Sequence, residues 1–423
     1  MKNPIKTFKA AGLINLFTIS VVLFFCLAIH AQTWQQVPIR TLAQEKEGFS
    51  GGEGHQWVLD IEYAPTNGNI VYMSSDTSQV WKSVDGGATW QMKHSGIGAK
   101  GIVSLGVSPY DENIVFGAGA TDVNDANTEQ GIYRTTDGGD TWTKVKNTKY
   151  AISRDGRAFF AFKSATEIYA SGTNTVGLMK STNSGSTFST VAFSGQVIGD
   201  IKIHPTDSNI LFVASQTNNT FYSLNLTTLV ATAIGTGLPS YPIEVAIVPA
   251  NPSIMYAVVG SSGLYKSING GSSFSQIESF AGRSAKYIEI SPADSNYMYV
   301  SWTHAGNYIG LTRYTYNANT TGTTNWSTSA SYDTQNVETL TWVAGSLYQS
   351  GAASTAVSGG SPIAAHPTDR DKAIISIAKD SIGKTINAGA NWTYSATGYT
   401  GGLTGITTNN EDITAIGWDL NNP

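Results

Sequence analysis

A few side chains in this sequence stand out for the chemistry they could do. Asp76 and Asp380 hold corresponding places in two similar segments, each directly after an apolar run. Two such carboxylates can divide acid–base work, one protonating a leaving oxygen and the other activating water. Asp122, Asp125 and Glu129 lie in a longer polar stretch that reads as a self-solvating loop. Trp302, His304 and Tyr308 crowd into SWTHAGNYIG, and Tyr241 lies in GLPSYP. Exposed aromatics of this kind suit sugar rings, whose apolar faces stack on them while hydroxyls seek Asn, Asp and His. Each candidate has a plainer alternative. Trp302 can fill a core, and Asp76 can accept backbone N–H bonds within its own loop. No cofactor and no metal is expected.

The elements that hold these residues must be strands. The chain has 423 residues, 25 Lys+Arg against 30 Asp+Glu, and a formal charge of −5. Charged residues make up only 13%, about half the usual share. Aromatics reach 11% and there are 44 glycines, which excludes a disordered chain. Helix surfaces are built from Glu, Lys, Ala and Leu, so a helical protein is excluded as well. Gly, Ser, Thr, Tyr and Trp in such numbers point to strands joined by tight turns. The acidic balance gives no electrostatic footprint for nucleic acid.

Two motifs recur along the chain. One reads SVDGGATW (83–90), TTDGGDTW (135–142), STNSGSTF (181–188), SINGGSSF (267–274) and TINAGANW (385–392). The other runs from an apolar strand through a proline into a second strand, at Pro65, Pro109, Pro205, Pro249, Pro292 and Pro367. The gap between Pro109 and Pro205 leaves room for a divergent module around 159–170, and that before Pro367 for one with an insertion. Each module reads as four strands; in the first they are Trp57–Tyr63, Asn69–Ser74, Gln79–Ser83 and Thr89–Met92. A repeated four-stranded unit of 40–50 residues is the signature of β-propeller blades. The expected fold is therefore all-β, a propeller of about seven four-stranded antiparallel blades with Asp-box turns. In such a turn the Asx side chain accepts N–H bonds, Gly supplies positive φ, and the aromatic packs back on the sheet. Asp85 and Asp137 are thus structural, and Asn183, Asn269 and Asn387 can do the same work.

Lys2, Lys6 and Lys9 precede an apolar run from Ala10 to Ile29, followed by Ala31-Gln32. That pattern is a secretory signal over 1–31, leaving 32–423 as the propeller and no membrane segment after removal. An uncleaved anchor is the alternative. The expected location is secreted, periplasmic or on the cell surface. Cys26 is the only cysteine and falls in the signal, so no disulfide supports the mature chain. Thr33–Val37 resembles an outer strand, and 413–423 resembles the start of a further module. Two readings of this pattern are open, a piece of a longer protein or a ring that closes imperfectly.

Strand parity puts the recurrent turns and the prolines on one face. Asp76, Asp380 and the aromatic candidates then belong to the opposite face, at the channel mouth. With the Asp-boxes in view, TWQQVPI, Ser50-Gly51-Gly52-Glu53-Gly54 and SSDTSQVWKSVDGGATW resemble the opening of family 74 glycoside hydrolases, the xyloglucanases. The resemblance implies two seven-bladed propellers facing each other across a polysaccharide cleft, with inversion at the reacting sugar. It also implies a catalytic role for Asp76, with a second carboxylate in a partner propeller. Thr77-Ser78-Gln79 stands where that family has two glycines. Sialidases resemble the chain less, since its seven arginines show no FRIP-like element. Asp-box propellers also include non-catalytic platforms such as sortilin-type receptors and photosystem assembly factors, so a glycan- or protein-binding role is the alternative.

Overall fold

In six of the seven modules an apolar strand leads into the proline turn, and a second strand returns beside it. The computed structural model describes residues 58–76, 80–120, 129–150, 158–172, 175–280, 283–304, 308–316, 326–331, 362–377, 381–388 and 393–394. Within these, seven antiparallel sheets of four strands follow one another in chain order. In blade 1 the strands are Val58–Ala64, Asn67–Ser75, Val80–Ser83 and Gln91–Met92. Blades 2 to 7 run from Gly101 to Asn147, Ala158 to Ala192, Ile198 to Ile234, Glu244 to Glu278, Arg283 to Ser331, and Ile363 to Tyr394. Blade 3 is the divergent module and lacks the proline. The only helix among the described residues is a single 3-10 turn, Gly260–Ser262.

Apolar side chains fill the seams between blades. Tyr72 and Val80 of blade 1 pack with Ile102 and Trp142 of blade 2. Phe212 and Phe221 of blade 4 pack with Val245 and Phe274 of blade 5. Blade 7 lies beside blade 1, with Ala364 and Ile374 joining Ile61, Val71, Trp81 and Trp90 in one cluster. The His366 ring meets the Tyr63 ring edge-on at 5.1 Å. It also fills the space over Gly68, where any Cβ would overlap it. The ring of blades is thus continuous from first to seventh. Thr33–Val37 and 413–423 lie outside the described residues.

The recurrent turns owe their shape to one side chain each. Asp137 Oδ1 accepts from Thr135 Oγ1 at 2.7 Å and from the Thr141 amide at 2.9 Å, while Oδ2 accepts from Thr141 Oγ1. Desolvation works against the charge, but the Thr135 and Thr141 bonds outweigh it and hold the carboxyl at about 2. Asn183 makes the neutral version, accepting from Ser181 Oγ and the Thr187 amide and donating to Thr187 Oγ1. The turn amides also tie back to the proline turns, as Gly86 to Asn69, Gly138 to Asn113, Gly270 to Ser253 and Ala388 to Asp371. Both kinds of turn therefore share one face. Because the turn needs an acceptor and not a charge, Asp137→Asn should be nearly neutral. Asp137→Ala should cost about 1 kcal/mol of stability. Thermal melts of the two variants check this, and equal losses would refute it.

Candidate functional site

The first strand of every blade lines the ring's centre, where a cavity of about 400 Å³ extends to Pro65, Pro109, Pro292 and Pro367. Its wall carries Asp60, Glu62, Lys202, Glu244 and Glu289. Asp60, Asp200 and Glu244 each stand five residues before a module's proline, and Glu62, Lys202 and Glu289 stand three before. Strand alternation turns both positions to the same side of the sheet. The result is two tiers of charge around one axis.

The upper tier works as a set of blade-to-blade staples. Asp60 Oδ2 accepts the Leu105 amide of blade 2 at 2.7 Å and Ser104 Oγ at 3.0 Å. Asp200 Oδ2 accepts the Val245 amide of blade 5 at 2.8 Å, and Glu244 Oε2 accepts the Ile288 amide of blade 6 at 3.1 Å. The register shifts at Val58/Asp60, Ile102/Leu105, Ile198/Asp200 and Ala285/Tyr287 mark irregular pairing at this level of the innermost strands. A bulge leaves backbone groups out of the ladder, and a neighbouring carboxylate can take them up. Tyr287 reaches across the channel to the Leu59 carbonyl at 3.3 Å.

The lower tier is electrostatically tense. Lys202 Nζ lies 3.4 Å from Glu244 Oε1 and 3.8 Å from Asp200 Oδ1. Desolvation works against its charge, but Asp200, Glu244, Glu289 and Glu62 raise its pKa above the ordinary lysine range. Burial pushes the Glu62 carboxyl well up, helped by Asp60 and Glu289. Burial likewise pushes Glu289 up to about 8, against the pull of Lys202 and of the Ala365 amide that bonds it. A carboxyl raised on folding stabilises the fold below its unfolded value near 4.5, and that contribution is lost as pH rises through about 8. The channel admits water, so the effect should be about 2 kcal/mol, not the full value of the shift. Glu289 faces Asp60, Glu62, Lys202 and Glu244, and with those groups in place the melting temperature should fall between pH 5 and pH 8. Glu289→Gln should flatten the fall, and an unchanged profile in that variant would refute the assignment.

Of the sequence candidates, Asp76 and Tyr241 are not among the described residues that line this cavity. Asp76 directly follows the second strand of blade 1 on the loop face and is 8% exposed. Its backbone abuts Gly101, the first residue of blade 2, where an added Cβ would come within 2.7 Å of the Asp76 carbonyl oxygen. Trp302 and His304 lie on Tyr297–His304, and Tyr308 opens Tyr308–Tyr316, with His304 opposite Tyr308 and Trp302 opposite Gly310. Their backbones share one hairpin end on the loop face of blade 6. Tyr241 is half-buried on the loop after blade 4, its amide donating to Asn219 Oδ1 at 3.0 Å. Asp380 lies outside the described residues, although the blades that carry it and Asp76 are neighbours. Among the described residues no three His, Cys, Asp or Glu are grouped to hold a metal ion.

No family model matches the chain, and no curated protein does. Among solved structures, the family 74 xyloglucanase from Xanthomonas campestris superposes with a TM-score of 0.62 at 14% identity, over 82% of this chain and 55% of that one. An ancestral family 74 enzyme gives 0.57 at 18% identity, over 82% of this chain and 47% of that one. YCF48 bound to a D1 peptide gives 0.53 at 12% identity, over 79% of this chain and 95% of that one. The chain thus spans about half the length of the family 74 structures it matches. At these identities the likeness is one of fold.

Proposed function

We propose that the chain is a secreted, carbohydrate-binding Asp-box propeller that forms half of an inverting glycoside hydrolase acting on xyloglucan or a related β-glucan. The observation that carries this reading is the place of Asp76. It leaves the second strand of blade 1 on the face away from the recurrent turns, beside blade 2, inside the segment whose residues resemble family 74. A carboxylate there could serve as one member of an acid–base pair about 6.5–9.5 Å apart, as inversion requires. The other would come from a facing propeller or, in a ring closed as this one is, from Asp380 on blade 7. The fold likeness to two family 74 enzymes, each about twice as long, supports the same reading. A second reading, a non-catalytic platform for a protein segment, draws support from YCF48, a chain of similar extent that is bound to a peptide.

Reducing-sugar release and affinity electrophoresis on xyloglucan, cellulose derivatives and mixed-linkage glucan separate the two. Retention by a β-glucan is expected from the chain starting at Gln32, with strong hydrolysis only when a second propeller is joined to it. Absence of retention by every glucan would remove the carbohydrate reading and leave the platform.

A further inference from the structure

Three loops meet at the loop end of blade 4: residues 193–197, 216–219 and 235–243. They hold one another by side chains. Gln196 Oε1 accepts from Ser215 Oγ and from Asn218 Nδ2, both at 3.0 Å, and Asn218 Nδ2 also donates to the Tyr222 hydroxyl at 3.2 Å. The Val197 amide donates to Thr217 Oγ1 at 2.8 Å. Asn219 adopts a left-handed φ of 51°, which asparagine tolerates better than most residues, while its Oδ1 accepts the Tyr241 amide. At the centre of the cluster is Gly199, one residue into the innermost strand and so at the channel's rim. An ideal Cβ there would lie 3.2 Å from the Gln216 amide nitrogen and 3.4 Å from Tyr241 Cε2. The bare backbone lets a phenol ring and a planar amide rest side by side over the strand. The Gln216 side chain makes no hydrogen bond among the described residues. Asn218 and Asn219 are exposed.

The chemistry of this patch is narrow. None of the three loops carries a charged residue, although the channel beneath them is strongly acidic. An ionic ligand therefore finds no counter-charge. A half-buried aromatic beside carboxamides, each offering both donor and acceptor, matches a neutral pyranose, with one apolar face and a rim of hydroxyls.

We infer that Tyr241, Gln216 and Asn219 form a saccharide subsite on blade 4, holding one neutral pyranose ring at the channel rim. It rests on the carbohydrate reading above and adds the place and residues of one binding position.

Isothermal titration with cellotetraose and with a xyloglucan heptasaccharide tests it in the chain from Gln32. Tyr241→Ala should weaken binding at least tenfold and Gln216→Ala about threefold to tenfold. Tyr110→Ala, an exposed tyrosine on the opposite face, should leave binding unchanged. The half-buried Gln216 side chain makes no hydrogen bond among the described residues, so its variant keeps the test open even where loss of the Tyr241 ring disturbs the loop. Wild-type binding unaltered by both substitutions would overturn the subsite while leaving the carbohydrate reading in place. No binding by the wild type to either sugar would overturn both.

Discussion

Replacing Asp200 with alanine should destabilise the ring by about 3 kcal/mol, the largest loss expected from a single channel residue. Asp200 is 2% exposed and its Oδ2 takes the Val245 amide of the next blade. The alanine variant leaves that amide without its acceptor inside a packed seam. It also removes one of the two carboxylates nearest the Lys202 ammonium, which is harder to keep charged when its partners are cut away. Asparagine keeps an acceptor oxygen, so Asp200→Asn should lose about 1 kcal/mol. Melting temperatures should separate the variants by several degrees. Amide exchange at Val245 should quicken in the alanine variant more than at Leu105, where Asp60 still serves. A drop in melting temperature no larger than for Asp137→Ala would show that the staple contributes little.

The second large effect concerns turnover. In a protein where this propeller faces its catalytic partner, Asp76→Asn should reduce hydrolysis by about a thousandfold, the usual scale for losing an acid or base. Melting should be unchanged, because the amide is the same size and keeps one acceptor oxygen. The competing role is mechanical. Asp76 is nearly buried and its backbone lies against Gly101. A turn residue so placed would respond to substitution by destabilising the junction of blades 1 and 2, with the turnover of the folded fraction intact. That second outcome would assign Asp76 to the fold and favour the binding platform.

The fold was largely written in the spacing of prolines and turn motifs. Even blade 3, without the proline, followed from the apolar run near Phe159 and the motif at Ser181–Phe188. The channel acids are not legible in the same way, although a signal is present. Asp60, Asp200 and Glu244 share an offset of five residues from Pro65, Pro205 and Pro249. What the sequence does not reveal is that the inward side of the first strand faces other blades' backbones around an axis. A carboxylate in a strand reads as solvent-facing until ring geometry supplies the amide it accepts. The loop aromatics show the converse. Strand parity puts Tyr241 on the loop face, but Gly199, which makes room for it, reads as one glycine among 44.

Every described blade is made of four consecutive strands, and blade 7 meets blade 1 through side chains such as His366 over Gly68 and Ile374 against Gly87. Pairing within a blade therefore spans short sequence distances, whereas the last seam and the Tyr287–Leu59 bond join residues hundreds of positions apart. Short-range contacts form quickly, whereas long loops must first lose the entropy of closure. Assembly should proceed blade by blade as an open arc, with the arc's two end sheets meeting last. The same locality makes the starting point of the string arbitrary. A circularly permuted chain, with Tyr394 linked to Val58 and new ends in the 193–197 loop, would keep every blade whole and move only the place where the circle is last to shut.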